Sequence, residues 1–202
     1  MARPVRIEYP GAYYYITSKG TEGEPVFKDV KDRQEFLTIL SEVIARMQWE
    51  VYAYNLLADS FQLFVRTPKA NLSKGMRQLN GVYTQRYNVK YGKTGTIFHG
   101  RFKAILIDAE NYFQEAARQV VRTPILAKKA RKLDKWKWGS YQATVGLSEA
   151  PEWLQTANLL ESFGKQKKRA QTAYEKYIHS CDKDHNILDN VQGQILLGND
   201  AF

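Results

Sequence analysis

The chain predicts an α/β fold: a ferredoxin-like split βαβ core with an antiparallel sheet, followed by a C-terminal, mainly helical appendage. Two observations carry this. Apolar periods follow one another as strand, helix, strand, strand, helix, strand up to Ile107, which is the order of that arrangement. Breakers such as Pro10-Gly11, Ala58-Asp59-Ser60, Pro68 and the glycines from Gly92 to Gly100 fall between the periods rather than inside them.

Tyr13 to Ser18 is aromatic and β-branched and follows Pro10-Gly11, so it reads as the first strand. Gly20 to Lys28 is a Gly- and Pro-bearing loop. Asp29 to Met47 places Phe36, Leu37, Ile39, Leu40, Val43, Ile44 and Met47 at helical spacing, with Asp29 positioned to cap. Trp49 to Leu57 and Phe61 to Thr67 are apolar runs around Ala58-Asp59-Ser60, an antiparallel hairpin that Pro68 stops. Asn71 to Tyr91 is a second helix, capped by Asn71, with Leu72, Met76, Leu79, Val82, Tyr83 and Tyr87 along one face. Arg101 to Ile107 is a fourth strand, and Ala109 to Arg122 a third helix that Pro124 ends. Beyond come a basic link, the pair Trp136 and Trp138, and helices near Trp153 to Phe163 and from Lys165 to Ile178. The expected division is a core of residues 1–127 and an extension of 128–202 packed on it.

With 202 residues, 44% hydrophobic and 13% aromatic, the chain can bury a full core and is not disordered. The lone Cys181 excludes an intrachain disulfide, fits a reducing cytoplasm and reads as a small apolar filler. No run of eighteen apolar residues occurs, and Arg3, Arg6 and Glu8 precede any apolar stretch, so no membrane span or signal peptide is expected. His179 and His185 match no zinc spacing, and the glycines form no phosphate loop.

The net charge of +9 is concentrated. From Ser60 to Ile107, and again from Ala116 to Leu133, there is no Asp or Glu, while Lys and Arg recur throughout. Long stretches of one sign attract polyanions. Interleaved aromatics can stack on unpaired bases, so nucleic acid is the expected partner. Arg77, Arg86, Arg101 and Lys103 are the candidate phosphate-binding cations, with Tyr83, Tyr87 and Phe102 as stacking platforms and His99 as a planar contact.

Four segments carry a resemblance. They are Met1 to Tyr13 (MARPVRIEYPGAY), Gln78 to Tyr87 (QLNGVYTQRY), Phe98 to Ala104 (FHGRFKA) and Trp138 to Thr144 (WGSYQAT). The chain resembles the REP-associated tyrosine transposases, a subgroup of the HUH-class single-strand transposases. The resemblance independently implies the same ferredoxin-like core, and DNA, single-stranded or hairpin, as partner. It also implies a divalent ion held by two histidines on one strand, a tyrosine nucleophile on the last core helix, and a polar accessory ligand one turn later. On the flanking matches the histidine positions fall on Ser60 and Gln62. A family pattern close to Arg-Tyr-Val-X-Leu-Asn-Pro-Val-Arg-Ala is met by Arg118 to Ala127 (RQVVRTPILA), which puts Gln119 at the nucleophile and Thr123 at the accessory ligand.

Neutral hydroxyls and carboxamides are weak ligands for a divalent ion, and a carboxamide cannot attack phosphorus. The expectation is therefore a non-catalytic, transposase-derived DNA-binding protein with no cofactor. The alternatives are a nickase with a rebuilt magnesium or manganese site, or a functionless relic. For a rebuilt site the candidates are Asp59, His99 and Glu115, with Tyr112 as a displaced nucleophile two turns, about 10 Å, before Gln119. The segment Asn190 to Phe202 resembles one leading into a helical DNA-binding tail, which is expected to be absent here.

Overall fold

The computed structural model describes residues 6–180, 186–192 and 195–198. Cys181, His185, Arg3 and part of the 190–202 segment lie outside the described residues. The elements are β1 (Ala12–Lys19), α1 (Val30–Met47), β2 (Glu50–Leu56), β3 (Ser60–Thr67), α2 (Leu72–Tyr91), β4 (Lys103–Ile107) and α3 (Ala109–Leu126). They are followed by α4 (Tyr141–Val145), α5 (Thr156–Glu161), α6 (Lys167–His179) and β5 (Leu196–Leu197). The sheet runs β2-β3-β1-β4-β5. Its first four strands are antiparallel neighbours in the ferredoxin-like order.

Period-two alternation gives the sheet two buried faces. Tyr14 and Ile16 of β1 and Phe61, Leu63 and Val65 of β3 pack under α1 and α2. Tyr15, Phe64 and Ile107 face the other way, toward Ala116, Val120 and Val121 of α3. Tyr141, Leu159, Tyr174 and Ile178 of the extension join this second cluster, so the extension shares apolar burial with the sheet. No helix among the described residues is long and apolar enough to cross a membrane.

Helix α1 starts as its sequence requires. Asp29 accepts from the Asp32 backbone at 2.8 Å and Asp32 accepts back from the Asp29 backbone at 3.2 Å. Asp32 is buried and also accepts from the Tyr91 hydroxyl at 2.8 Å and the Lys90 ammonium at 2.7 Å, which ties the α2 C-terminus to the α1 N-terminus.

Helix α2 does not start as expected. The Asn71 side chain makes no capping bond. It accepts from Trp49 Nε1 at 2.8 Å and donates to the Met47 carbonyl at 2.9 Å, spent on the tryptophan rather than on its own helix. The Glu8 carboxylate takes the cap instead, accepting from the Ser73 backbone at 3.1 Å. An anion there also suits the helix dipole.

Two further expectations are corrected. Pro124 lies inside α3, which runs on to Leu126. A proline costs a helix most in its interior, but here the last turn is closed by Ala127 N to Thr123 O and Lys129 N to Pro124 O, both 2.8 Å. Helix α5 is shorter than the Trp153 to Phe163 run suggested. The 190–202 segment, where described, carries the edge strand β5, parallel to β4.

Two glycines of α2 test this packing. A Cβ on Gly75 would lie 2.2 Å from the ring of Trp49, which is buried and pinned by Asn71, whereas one on Gly81 would meet nothing within 4 Å. Gly81→Ala is expected to stabilise by about 1 kcal/mol through helix propensity. Gly75→Ala is expected to cost about 1–3 kcal/mol through overpacking, outweighing the same gain. Urea midpoints moving in opposite directions check both; a rise for Gly75→Ala would contradict the Trp49 contact.

Candidate functional site

Because β3 begins at Ser60, Ser60 and Gln62 are alternate residues of one strand and share its α3-facing side. The register carries that side across the sheet: Ser60 pairs with Lys19, and Gln62 pairs with Thr17, which in turn pairs with Lys103. Gln119 and Thr123 sit one turn apart on α3, and the Thr123 hydroxyl donates to the Gln119 carbonyl at 2.9 Å. All four positions line a single cleft of about 1070 Å³.

The cleft has a floor of neutral side chains and a rim that is mainly cationic, with the carboxylates of Asp59 and Asp189 also lining it. Ser60, Gln62 and Gln119 are buried, as is Tyr15, whose ring also lines it. Lys19, Arg101, Lys103 and Lys129 line it and are exposed, with Arg6 partly so. Leu57, Phe102, Ile105 and Leu126 supply apolar wall.

A polar relay fixes part of the floor. Trp136 Nε1 donates to Asn55 Oδ1 at 2.7 Å, and Asn55 Nδ2 donates to Gln62 Oε1 at 3.4 Å. Gln62 Nε2 donates to Ser60 Oγ at 3.3 Å, which donates to Asp59 Oδ1 at 3.1 Å. The Gln62 carboxamide thus has both ends engaged within the protein.

These donors do not fit a divalent ion. Ser60, Gln62 and Thr123 are neutral donors already hydrogen-bonded within the protein, and among the described residues no group of three or more His, Cys, Asp or Glu is placed to hold a metal. Of the candidates for a rebuilt site, Asp59 lines the cleft and accepts from Ser60, while His99, Glu115 and Tyr112 do not line it. Glu115 pairs with Arg118 at 3.8 Å, and Tyr112 packs against the second apolar cluster. His179 shares a 3.0 Å hydrogen bond with the Tyr141 hydroxyl, between α6 and α4.

Sequence reasoning missed the tyrosine that does reach the cleft. Burial pushes the Tyr15 phenol well above its ordinary value, opposed by the Thr123 hydroxyl beside it. A phenol so raised stays protonated at neutral pH and is a poor nucleophile. Asn55, Lys19 and Lys129 were also missed. A lone Asn inside the apolar β2 run, in a hairpin opposite Gln62, was a signal for the first.

The expected DNA-binding set is split by the fold. Arg101, Phe102 and Lys103 line the cleft, and the Arg6 guanidinium lies 3.7 Å from the Phe102 ring centre. His99 is exposed on the loop before them, its backbone N–H bonded to the Lys19 carbonyl at 2.8 Å. Arg77 and Arg86 are on α2, which covers the opposite face of the sheet, and Arg86 pairs with Glu35. Tyr83 and Tyr87 are not stacking platforms. They are 1% and 3% exposed, and their hydroxyls donate to the Val26 and Pro25 carbonyls. Both are core residues, because the helix face that carries them is the one α2 lays on the sheet.

Comparison with known proteins agrees with this architecture. The family described as "Transposase IS200 like" matches residues 12–118, more than half of the chain. The chain belongs to the IS200-like transposases. A solved REP-associated tyrosine transposase bound to a REP hairpin has the same fold, with a TM-score of 0.62 at 14% identity over 75% of this chain and 89% of that one. A proposed transposase from Deinococcus radiodurans has a TM-score of 0.39 at 16% identity, over 57% of this chain and 92% of that one. The tRNA(His) guanylyltransferase of Saccharomyces cerevisiae has a TM-score of 0.40 at 7% identity, over 92% of this chain and 86% of that one. Neither of the last two bears on the fold. No curated protein sequence matches the chain.

Proposed function

We propose that this member of the IS200-like transposases is a cytoplasmic, non-catalytic protein that binds single-stranded or hairpin DNA. The observation that carries the reading is the contrast within one cleft. All four positions where the family places its chemistry, Ser60, Gln62, Gln119 and Thr123, are neutral, while the cations around them remain. A phosphodiester nick needs a Lewis acid to offset developing charge and a nucleophile held in line. A strand needs only the cations and apolar surface to be held. The fold neighbour is itself bound to a hairpin, which supports DNA as the partner class.

The test uses a labelled hairpin oligonucleotide. Fluorescence anisotropy reads binding across a salt series, and a denaturing gel reads cleavage or covalent adduct in magnesium or manganese. Salt-sensitive binding without cleavage is the expected result. Cleavage, or no binding at low salt, would overturn the reading.

A further inference from the structure

We infer that the former catalytic cleft receives one unstacked nucleobase of the bound strand, recognised by the Gln119 carboxamide. This rests on the DNA-binding reading above and specifies how the cleft is used. Gln119 is 6% exposed and lines the cleft, yet its side chain makes no hydrogen bond among the described residues. Its neighbour in the cleft, Gln62, is closed into the relay from Trp136 to Asp59. Gln119 is therefore the floor amide left to bind something from outside. The polar atoms of its carboxamide are not among the buried, unpartnered ones, so they open onto the cleft, where a base edge can take the place of solvent.

The chemistry selects the ligand. A carboxamide presents a donor and an acceptor side by side, the pattern that pairs bidentately with a base edge, as glutamine does with adenine N6 and N7. A phosphate offers only acceptors, and the cations that would suit it are on the exposed rim rather than the floor. Phe102, Leu126 and Ile105 provide apolar surface for the faces of a ring. The volume, about 1070 Å³, is at the upper end of that enclosing a drug-sized ligand, so a nucleotide fits with its flanking phosphates reaching Lys19, Lys103 and Lys129.

The test is an abasic scan. A hairpin oligonucleotide that the full chain binds is remade with one base at a time replaced by a bare deoxyribose, leaving every phosphate in place. One position is expected to lose about ten- to a hundredfold in affinity, with the salt slope unchanged. In Gln119→Leu, which keeps the bulk and removes the hydrogen-bonding edge, the penalty at that position is expected to shrink, leaving only the contribution of the apolar contacts to the ring. A flat scan in the native chain with binding and salt slope intact would overturn the inference and leave the DNA-binding reading standing. A single-position penalty of the same size in both native chain and Gln119→Leu would also overturn it, moving recognition to another residue. Failure to bind any oligonucleotide would overturn both.

Discussion

Hairpin DNA incubated with this chain and magnesium or manganese is expected to remain uncut and free of covalently attached protein. A bound metal is worth several kcal/mol of charge stabilisation, and an in-line nucleophile about 7–11 kcal/mol of positioning. Losing about 10 kcal/mol of the two together slows cleavage by roughly seven orders of magnitude at 1.36 kcal/mol per decade. Calorimetry is expected to give no micromolar manganese binding, because Ser60, Gln62 and Thr123 offer neutral donors, two of them already bonded within the relay. Manganese binding lost in Gln62→Ala would overturn this. So would a gel-stable adduct; its loss in Tyr15→Phe or Tyr112→Phe would identify which tyrosine had taken over.

Affinity for the hairpin is expected to fall about a hundredfold between 50 and 200 mM salt. The cations lining the cleft are Arg6, Lys19, Arg101, Lys103 and Lys129. If each neutralises one phosphate of a single strand, the slope of log affinity against log salt is about −3.5, at about 0.7 per contact. Removing Arg101 should reduce that slope by about 0.7. Arg77 is equally exposed but stands on α2, across the sheet from the cleft, and its removal should leave the slope unchanged. Anisotropy with Arg101→Ala and Arg77→Ala separates a cleft-centred interface from diffuse positive charge; equal small effects would defeat the former. Tyr87→Ala is uninformative about stacking, since that ring is core, and is expected to lower stability instead.

Much of the fold was readable because each core element announces itself locally. The 3.6-residue period of Phe36, Leu40, Val43 and Met47 and the Asp29 cap specify α1 without reference to the rest of the chain. The βαββαβ order then leaves few topologies. What failed locally failed through long-range competition. Asn71 has the residue type of a cap, but Trp49, brought alongside by the hairpin strand β2, claims its side chain. Strand β5 is two residues long, and its pairing with β4 depends on a chain segment some ninety positions later in sequence returning to the sheet edge.

By itself the sequence determined which side chains stand at the four positions the resemblance singles out. Neither serine nor glutamine becomes imidazole in any environment, and no fold turns Gln119 into a nucleophile. Only the tertiary structure decided which side chains share a space. Helical period places Tyr83 and Tyr87 on one face of α2, but it is packing that turns that face to the sheet and buries both rings. Strand alternation puts Ser60 and Gln62 on one side, but only the crossing of α3 over that side makes a cleft of them with Gln119 and Thr123. Local periodicity fixes relative orientation within an element, whereas burial belongs to the pair of surfaces that meet, and those come from distant parts of the chain.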